Sequence, residues 1–146
     1  MIVDTSVIVA VIQGEPEADV FKRLITEAPV ARISAATYVE AGVVVDRAGD
    51  PRLSSALDVL LESGGILIEA FSARQAAIAR LAYQRFGKGS GHPARLNMGD
   101  CFSYALARDL GEPLLFKGDD FRHTDIELVT TPIRERRLSE IVASYT

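Results

Sequence analysis

Two acidic residues lie in segments that are otherwise free of charge. Asp4 is the only charged residue among residues 1–12, and Glu40 is the only one among residues 33–45. A carboxylate in apolar surroundings is costly unless it is paired or bound to a cation. Simpler roles are open to both, since Asp4 could only cap the helix after it and Glu40 could be an exposed helix residue. The pattern favours two carboxylates that hold a cation.

A third acidic residue, Asp100, lies in the first turn of a helix that Asn97 is predicted to cap. Its simplest role would be a favourable interaction with the N-terminal end of the helix dipole. The apolar stripe predicted for this helix consists of Met98, Cys101, Phe102, Ala105 and Leu106. That stripe leaves Asp100 on the opposite face, with Ser103, Tyr104 and Ala107, where small side chains could border a groove.

The fourth acidic position follows the apolar run Leu114-Leu115-Phe116. The next residues are Lys117-Gly118-Asp119-Asp120, so a carboxylate is delivered to the end of a predicted strand, where open α/β sheets bind ligands. Asp119 and Asp120 are the two acids at this position, and the strand argument does not choose between them. An aspartate-rich turn is common in proteins, so this segment indicates a functional site only in combination with the other three acids.

These four positions offer hard oxygen ligands and no soft ones. The chain has a single cysteine and two histidines, which excludes a cysteine-rich zinc site and favours Mg²⁺ or Mn²⁺. One or two such ions held by carboxylates can activate a water molecule and neutralise the charge of a phosphodiester during its displacement. The acidic positions therefore predict nuclease chemistry.

A basic segment precedes Asp100 in a chain whose formal net charge is −4. Residues 70–99 contain no Asp or Glu, but they include Arg85, Lys88 and Arg95 around a loop rich in glycine. Local positive charge suits contact with RNA phosphates, and we predict that these three side chains bind RNA. The alternative is an ordinary solvated surface.

Strand and helix patterns alternate along the chain and must position these residues. Apolar runs predict strands, and capping residues with periodic apolar positions predict helices. The predicted strands are 1–3, 30–33, 66–70, 113–116 and 126–129, and the predicted helices are 7–12, 16–28, 35–48, 51–63, 73–86, 98–110 and 134–143. This order predicts an α/β domain with a mainly parallel central sheet covered on both faces, and the length of 146 residues predicts a single domain over residues 1–146.

Neither a signal peptide nor a membrane-spanning segment is expected. The first residues lack a basic region and a small-residue cleavage site, and no apolar run approaches the roughly 20 residues that span a bilayer. The sequence therefore predicts a cytoplasmic protein.

Four short segments together resemble the acidic motifs of PIN domains, in the order in which that family has them. They are Ile2-Val3-Asp4-Thr5-Ser6, the segment from Ser34 to Glu40, Asn97-Met98-Gly99-Asp100 followed by Ala105-Leu106-Ala107, and Lys117-Gly118-Asp119-Asp120-Phe121. The loop from Phe86 to Pro93 and the residues Thr124-Asp125-Ile126 are similar to the VapC toxin branch. The set spans almost the whole chain.

The resemblance implies a PIN-like three-layer α/β/α fold and a Mg²⁺- or Mn²⁺-dependent endoribonuclease, the toxin of a toxin–antitoxin pair. It further implies homodimerisation and inhibition by a VapB-type antitoxin. Asp4, Glu40 and Asp100 would be the primary metal ligands and Asp119 the fourth acid, with Asp120 as its alternative. Thr5 or Ser6 would form a hydrogen bond near the metal.

Other functions compete with this one. A catalytically silent PIN-type RNA-binding or scaffold domain and a housekeeping PIN nuclease are the alternatives within the family. A phosphatase of the haloacid type would need an Asp at the place of Ser6, and a P-loop would need Ser or Thr after Lys88 and a strand before the loop. The sequence disfavours phosphoryl transfer and nucleotide binding on these grounds.

Overall fold

Short apolar strands form the centre of the fold. The computed structural model describes residues 1–129, and within them four strands pair in parallel in the order β3-β2-β1-β4. The strands are β1 (Ile2–Val3), β2 (Ala31–Ser34), β3 (Ile66–Glu69) and β4 (Leu114–Leu115). The predicted strands of residues 1–3, 30–33, 66–70 and 113–116 are confirmed to within one residue at each end.

Helices connect successive strands, and side chains cap most of them. The helices are α1 (Thr5–Ile12), α2 (Ala18–Glu27), α3 (Ala35–Asp46), α4 (Pro51–Ser63), α5 (Ala73–Phe86) and α6 (Met98–Leu110), and a short 3₁₀ helix covers Asp120–His123. Ser34, Ser72 and Asn97 each accept a backbone N–H at a helix start, as their sequence positions predict. None of the helices in residues 1–129 is long and apolar enough to cross a membrane.

The hydrophobic core consists of two clusters, one on each face of the sheet, and alternate strand residues contribute to each. Ile2 pairs with Leu114, and both pack on the side of α5 and α6. Val3 pairs with Leu115, and both pack on the opposite side, against α1, α2 and α4. Since successive strand residues face opposite sides of a sheet, this alternation places helices on both faces. The predicted α/β/α arrangement with a parallel sheet is confirmed.

The segment after the 3₁₀ helix returns to the sheet only briefly. Leu128 forms an isolated parallel bridge with Leu114, and Val129 donates its N–H to the Leu114 carbonyl at 2.9 Å. The predicted strand over residues 126–129 is thus a single bridge. The helix predicted for residues 134–143 lies outside the described residues, and a single domain over residues 1–146 stays a prediction.

Candidate active site

Asp4 follows β1 directly and is held by three donors. Its side chain is only 3% exposed. Ser6 donates its backbone N–H (3.1 Å) and its hydroxyl (2.7 Å) to Oδ2, and the hydroxyl of Ser103 on α6 donates to Oδ1 at 2.5 Å. The bond from the Ser6 backbone N–H makes Asp4 the N-cap of α1, so the capping role considered from the sequence is confirmed. The hydroxyl from a distant helix goes beyond capping and fixes the orientation of the carboxylate.

Ser6 joins the two strand ends that meet at this site. Its hydroxyl donates to Asp4 and accepts the backbone N–H of Lys117 at 2.9 Å. Lys117 follows β4 by two residues, and Asp4 donates its own N–H to the carbonyl of Leu115 at 3.0 Å. The carboxyl ends of β1 and β4 are therefore tied together beside the Asp4 carboxylate.

Glu40 reaches the site from α3. The hydroxyl of Thr5 donates to its Oε1. Partial burial raises the pKa of Glu40, the hydrogen bond from Thr5 acts in the opposite direction, and the nearby charge of Asp4 raises it further. Glu40 and Asp4 are thus near enough to repel each other.

The burial of Glu40 does not come from an apolar face of its own helix. Val43, one turn away, is 52% exposed, and Val44 is exposed as well. The expectation that Glu40 has apolar surroundings is therefore wrong for these two residues, which face solvent. The carboxylate instead lies over Gly99 at the start of α6, where a Cβ atom would collide with the carboxylate carbon and both oxygens of Glu40. A side chain at residue 99 would displace the Glu40 carboxylate from this place.

Asp100 takes part in a reciprocal capping arrangement with Asn97. Asp100 donates its N–H to the Asn97 side chain at 2.9 Å, and Asn97 donates its N–H to Asp100 Oδ2 at 3.0 Å. Burial, and to a smaller extent the charges of Asp4, Asp120 and Glu40, raise the pKa of Asp100 to about 7, against the lowering effect of the Asn97 N–H. The charges of three other acids therefore act on Asp100.

The faces of α6 differ from the predicted ones. Ser103, Tyr104 and Ala107 are buried although they were expected to border a groove, and Met98 of the predicted apolar stripe is 70% exposed. The helix is covered on most sides because it packs on the sheet, α3 and α5, and Tyr104 also contacts Asp125. Asp100 lies at the partly open end of this buried helix.

Asp119 and Asp120 differ in the groups on which their charges act. The Asp119 side chain is 77% exposed and lies 3.5 Å from the guanidinium of Arg122. Asp120 is the one of the two whose charge raises the pKa of Asp100. This difference favours Asp120 over Asp119 as the fourth acid of the site.

The acids lie near one another, but they do not form a preassembled set of metal ligands within residues 1–129. Within residues 1–129, no three His, Cys, Asp or Glu side chains converge closely enough to hold one metal ion together. What the structure brings together is a set of interacting carboxylates at the carboxyl ends of the strands, of which Asp4, Glu40 and Asp100 are each oriented by a hydroxyl or a backbone N–H.

Comparison with known proteins agrees with this arrangement. The model of the family described as PIN domain matches residues 1–127. The chain belongs to the PIN-domain family. The protein from Mycobacterium tuberculosis named Ribonuclease VapC42 is 53% identical over 131 residues, which make up 90% of this chain and 100% of that protein. Ribonuclease VapC28 from the same species is 52% identical over 127 residues, or 87% of this chain and 96% of that protein.

A solved structure shows the same fold. It is that of VapC20 from Mycobacterium tuberculosis, described as a sarcin-ricin loop cleaving toxin, with a TM-score of 0.66 and 22% sequence identity. The similarity covers 88% of this chain and 97% of that one. The relatives therefore place this PIN domain in the VapC branch, and the resemblance seen in its four acidic motifs is confirmed.

Two residues of this PIN domain were not predicted as part of the site. Ser103 is fully buried, donates to Asp4 and lies 3.4 Å from the hydroxyl of Thr37, which is fully buried too. Gly99 provides the space for Glu40. A signal for Ser103 was present, because it lies three residues after Asp100 and so shares its helix face.

The basic residues predicted to bind RNA are not all in one place. The loop between α5 and α6 is closed at its neck, where Lys88 donates its N–H to the Leu96 carbonyl at 2.9 Å, and Arg95 just before Leu96 has a φ of 50°. This left-handed conformation is uncommon for a residue with a side chain. Arg85 lies 4.7 Å over the ring of Phe86 and 3.4 Å from Asp125. Lys88 and Arg95 thus flank one loop, whereas Arg85 is engaged elsewhere.

Proposed function

We propose that this PIN domain is a Mg²⁺- or Mn²⁺-dependent endoribonuclease, the toxin of a toxin–antitoxin pair. The observation that carries the proposal is the mutual influence of Asp4, Glu40, Asp100 and Asp120 at the carboxyl ends of β1 and β4. This chain matches nearly the whole length of the two relatives that are named ribonucleases. RNA as the substrate and a VapB-type antitoxin as the inhibitor follow from this proposal, as does action in the cytoplasm.

The carboxylates fit a hard divalent cation. Carboxylate oxygens are the ligands that Mg²⁺ and Mn²⁺ prefer, and a cation among Asp4, Glu40 and Asp100 would relieve the repulsion that raises the pKa of Asp100. Asp120 is our choice for the fourth acid, with Asp119 as the alternative. A bound ion would activate water and offset the negative charge of the phosphodiester.

The side chains around the acids orient them for this task. Ser6 and Ser103 hold one oxygen each of Asp4, and Thr5 holds one oxygen of Glu40. Asn97 holds Oδ2 of Asp100. Asp4, Glu40 and Asp100 are therefore restrained by donors that are themselves part of a helix start or a buried helix face, which preorganises these three acids.

The catalytically silent alternative is less well supported. A scaffold has no use for a group of repelling carboxylates, whose proximity costs folding free energy. Hydroxyl groups of two helices orient these acids, those of Thr5 and Ser6 on α1 and that of Ser103 on α6. A housekeeping nuclease would use the same site, and a bacterial growth assay separates it from a toxin. We also propose a homodimer, which sedimentation of the purified protein would test.

The test of catalysis replaces single acids by their amides. We expect Asp4→Asn, Glu40→Gln and Asp100→Asn each to lower Mn²⁺-dependent cleavage of RNA about 100-fold or more. Asp120→Asn should lower it more than Asp119→Asn. Asp58→Asn, which changes an exposed aspartate on α4, is the matched control and should cleave normally. Near-normal cleavage by Asp100→Asn with an unchanged circular dichroism spectrum would refute the site, and activity in EDTA would refute the metal.

A further inference from the structure

One face of α6 runs from the active site to the segment that carries the fourth acid. Asp100, Tyr104 and Arg108 are spaced four residues apart, so they lie one above another on this helix. At the N-terminal end of this face, the charge of Asp120 acts on Asp100. Nearer the C-terminal end, Asp125 contacts Tyr104 and Arg108. The segment from Asp120 to Asp125 therefore follows the same face of α6 that presents Asp100.

Asp125 is the point at which this segment is attached to α6. The hydroxyl of Tyr104, a buried residue, donates to Asp125 Oδ1 at 2.6 Å. The guanidinium groups of Arg85 and Arg108 lie 3.4 Å and 3.6 Å from Oδ2. Partial burial opposes the charge of Asp125, but the Tyr104 hydrogen bond and the two arginines hold its pKa below the ordinary value.

Tyr104 is suited to remain the donor of this bond. Burial and the Asp125 carboxylate raise the pKa of Tyr104 to about 12, so its hydroxyl stays protonated across the working range of an enzyme. An aspartate at a bond length of 2.6 Å makes a strong, charge-assisted acceptor. The pair is a persistent attachment between α6 and the chain after the 3₁₀ helix.

The chain between Asp120 and Asp125 has little freedom. Phe121 is buried, and the centroid of its ring lies 5.2 Å from that of the Phe116 ring. Thr124 donates its N–H (3.1 Å) and its hydroxyl (2.7 Å) to the Phe121 carbonyl, which closes a tight turn just before Asp125. A shift of Asp125 along α6 is therefore transmitted through this turn to Phe121 and its neighbour Asp120.

We propose that the Tyr104–Asp125 pair is a positioning device that sets the place of Asp120 opposite Asp100. Neither residue is a candidate to touch the metal or the substrate. Their effect is on where the fourth acid lies, and Arg85 and Arg108 support it by holding the second oxygen of Asp125. This inference rests on the proposed function to the extent that Asp120 serves a metal site.

A double-mutant cycle separates positioning from mere stabilisation of the fold. The probe is Mn²⁺ alone, titrated by calorimetry into the wild type, Tyr104→Phe, Asp120→Asn and the double variant. We expect Tyr104→Phe to weaken Mn²⁺ binding about tenfold, as loss of a supporting hydrogen bond does at metal sites. In the Asp120→Asn background the same change should weaken it less than about twofold, because the residue that it positions is gone.

Changes at Asp125 test which of its interactions matters. Asp125→Asn keeps an oxygen that can accept the Tyr104 hydroxyl and should stay within about threefold of the wild type, whereas Asp125→Ala should match Tyr104→Phe. Asp109→Asn is the matched control. Asp109 also lies on α6, and it pairs with Arg74 (2.6 Å) and Gln75 (3.1 Å) of α5 without contacting the segment. Its loss should lower stability and leave Mn²⁺ binding unchanged.

Hydrogen exchange gives a second result that needs neither metal nor RNA. The N–H groups of Arg122 and Thr124 bond within the turn, to Asp119 and Phe121. In Tyr104→Phe they should exchange about tenfold faster while the α6 amides are unchanged. Unchanged exchange, or equal effects of Tyr104→Phe on Mn²⁺ binding in both backgrounds, would overturn the proposal. If the wild type bound no Mn²⁺, the proposed metal site would fail and exchange alone would decide on the positioning.

Discussion

At the scale of single residues, Asp100 shows how the site stores electrostatic free energy. Burial and the charges of three other acids raise its pKa from 3.8 to about 7. A group whose pKa is higher in the folded protein than in the unfolded chain favours folding when it is protonated. Its stabilising contribution is full below the unfolded pKa of 3.8 and is lost as the pH rises through about 7. Charged Asp100 therefore opposes folding at alkaline pH.

We predict that the metal-free protein is less stable at pH 8 than at pH 5, and that Asp100→Asn removes much of this difference. The amide carries no charge, so the variant should be more stable than the wild type at pH 8 by about 1 to 2 kcal/mol, a value reduced for partial exposure to solvent. Urea unfolding in EDTA at both pH values measures this. An identical pH dependence in the two proteins would mean that Asp100 titrates normally.

At the scale of elements, the loop between α5 and α6 carries the positive charge closest in sequence to Asp100. Residues 70–99 lack acidic side chains, and the backbone bridge between Gly87 and Leu96 brings the two ends of the loop together. Lys88 and Arg95 both lie at this neck, and both are exposed. The element is suited to hold phosphates of an RNA strand as it enters the site.

We predict that neutralising Lys88 and Arg95 together weakens RNA binding and lowers its dependence on salt. Each lost phosphate contact removes roughly one unit from the slope of log K against log salt, so the double variant should lose about two. Binding of a non-cleaved RNA to the Asp100→Asn protein, with and without the two changes, measures this slope. Neutralising Arg23 and Arg47, two exposed cations of other parts of the chain, is the control. An unchanged slope would return Lys88 and Arg95 to the role of an ordinary solvated surface.

At the scale of the whole molecule, the acids come from separate parts of a fold that must be complete before the site exists. Asp4 and its donor Ser103 are 99 residues apart in the chain. Thr5 and Glu40 are 35 apart. A fragment must span residues 4–120 to contain all four acids with these donors, so RNA cleavage and toxicity should both require the folded domain.

We predict that expression of the whole chain alone arrests bacterial growth, and that co-expression of the antitoxin encoded beside it restores growth. An antitoxin segment with Arg or Lys and apolar anchors would suit the carboxylate site. Asp4→Asn should be harmless at an equal protein level, which ties the arrest to the site. Growth unaffected by a soluble, active wild-type enzyme would favour the housekeeping nuclease.

Local patterns in the sequence determined the elements and the identity of three acids. Ser34, Ser72 and Asn97 cap helices because a short polar side chain can satisfy a free N–H next to it in sequence. Asp4, Glu40 and Asp100 were recognisable from charge-free surroundings, from a helix start and from family motifs. These features depend on residues within a few positions of one another, which a sequence displays directly.

The tertiary structure decided what depends on distant partners. The sequence predicted Asp119 as the fourth acid with Asp120 as the alternative, whereas the structure favours Asp120 because its charge acts on Asp100 and Asp119 lies beside Arg122. It gave no sign that Asp125 lies beside the guanidinium of Arg85, for which RNA binding stays a prediction. It showed that Glu40 lies in charge-free surroundings, but not that its carboxylate lies over Gly99 of another helix. Periodicity describes one element at a time, and such contacts exist only once elements pack together.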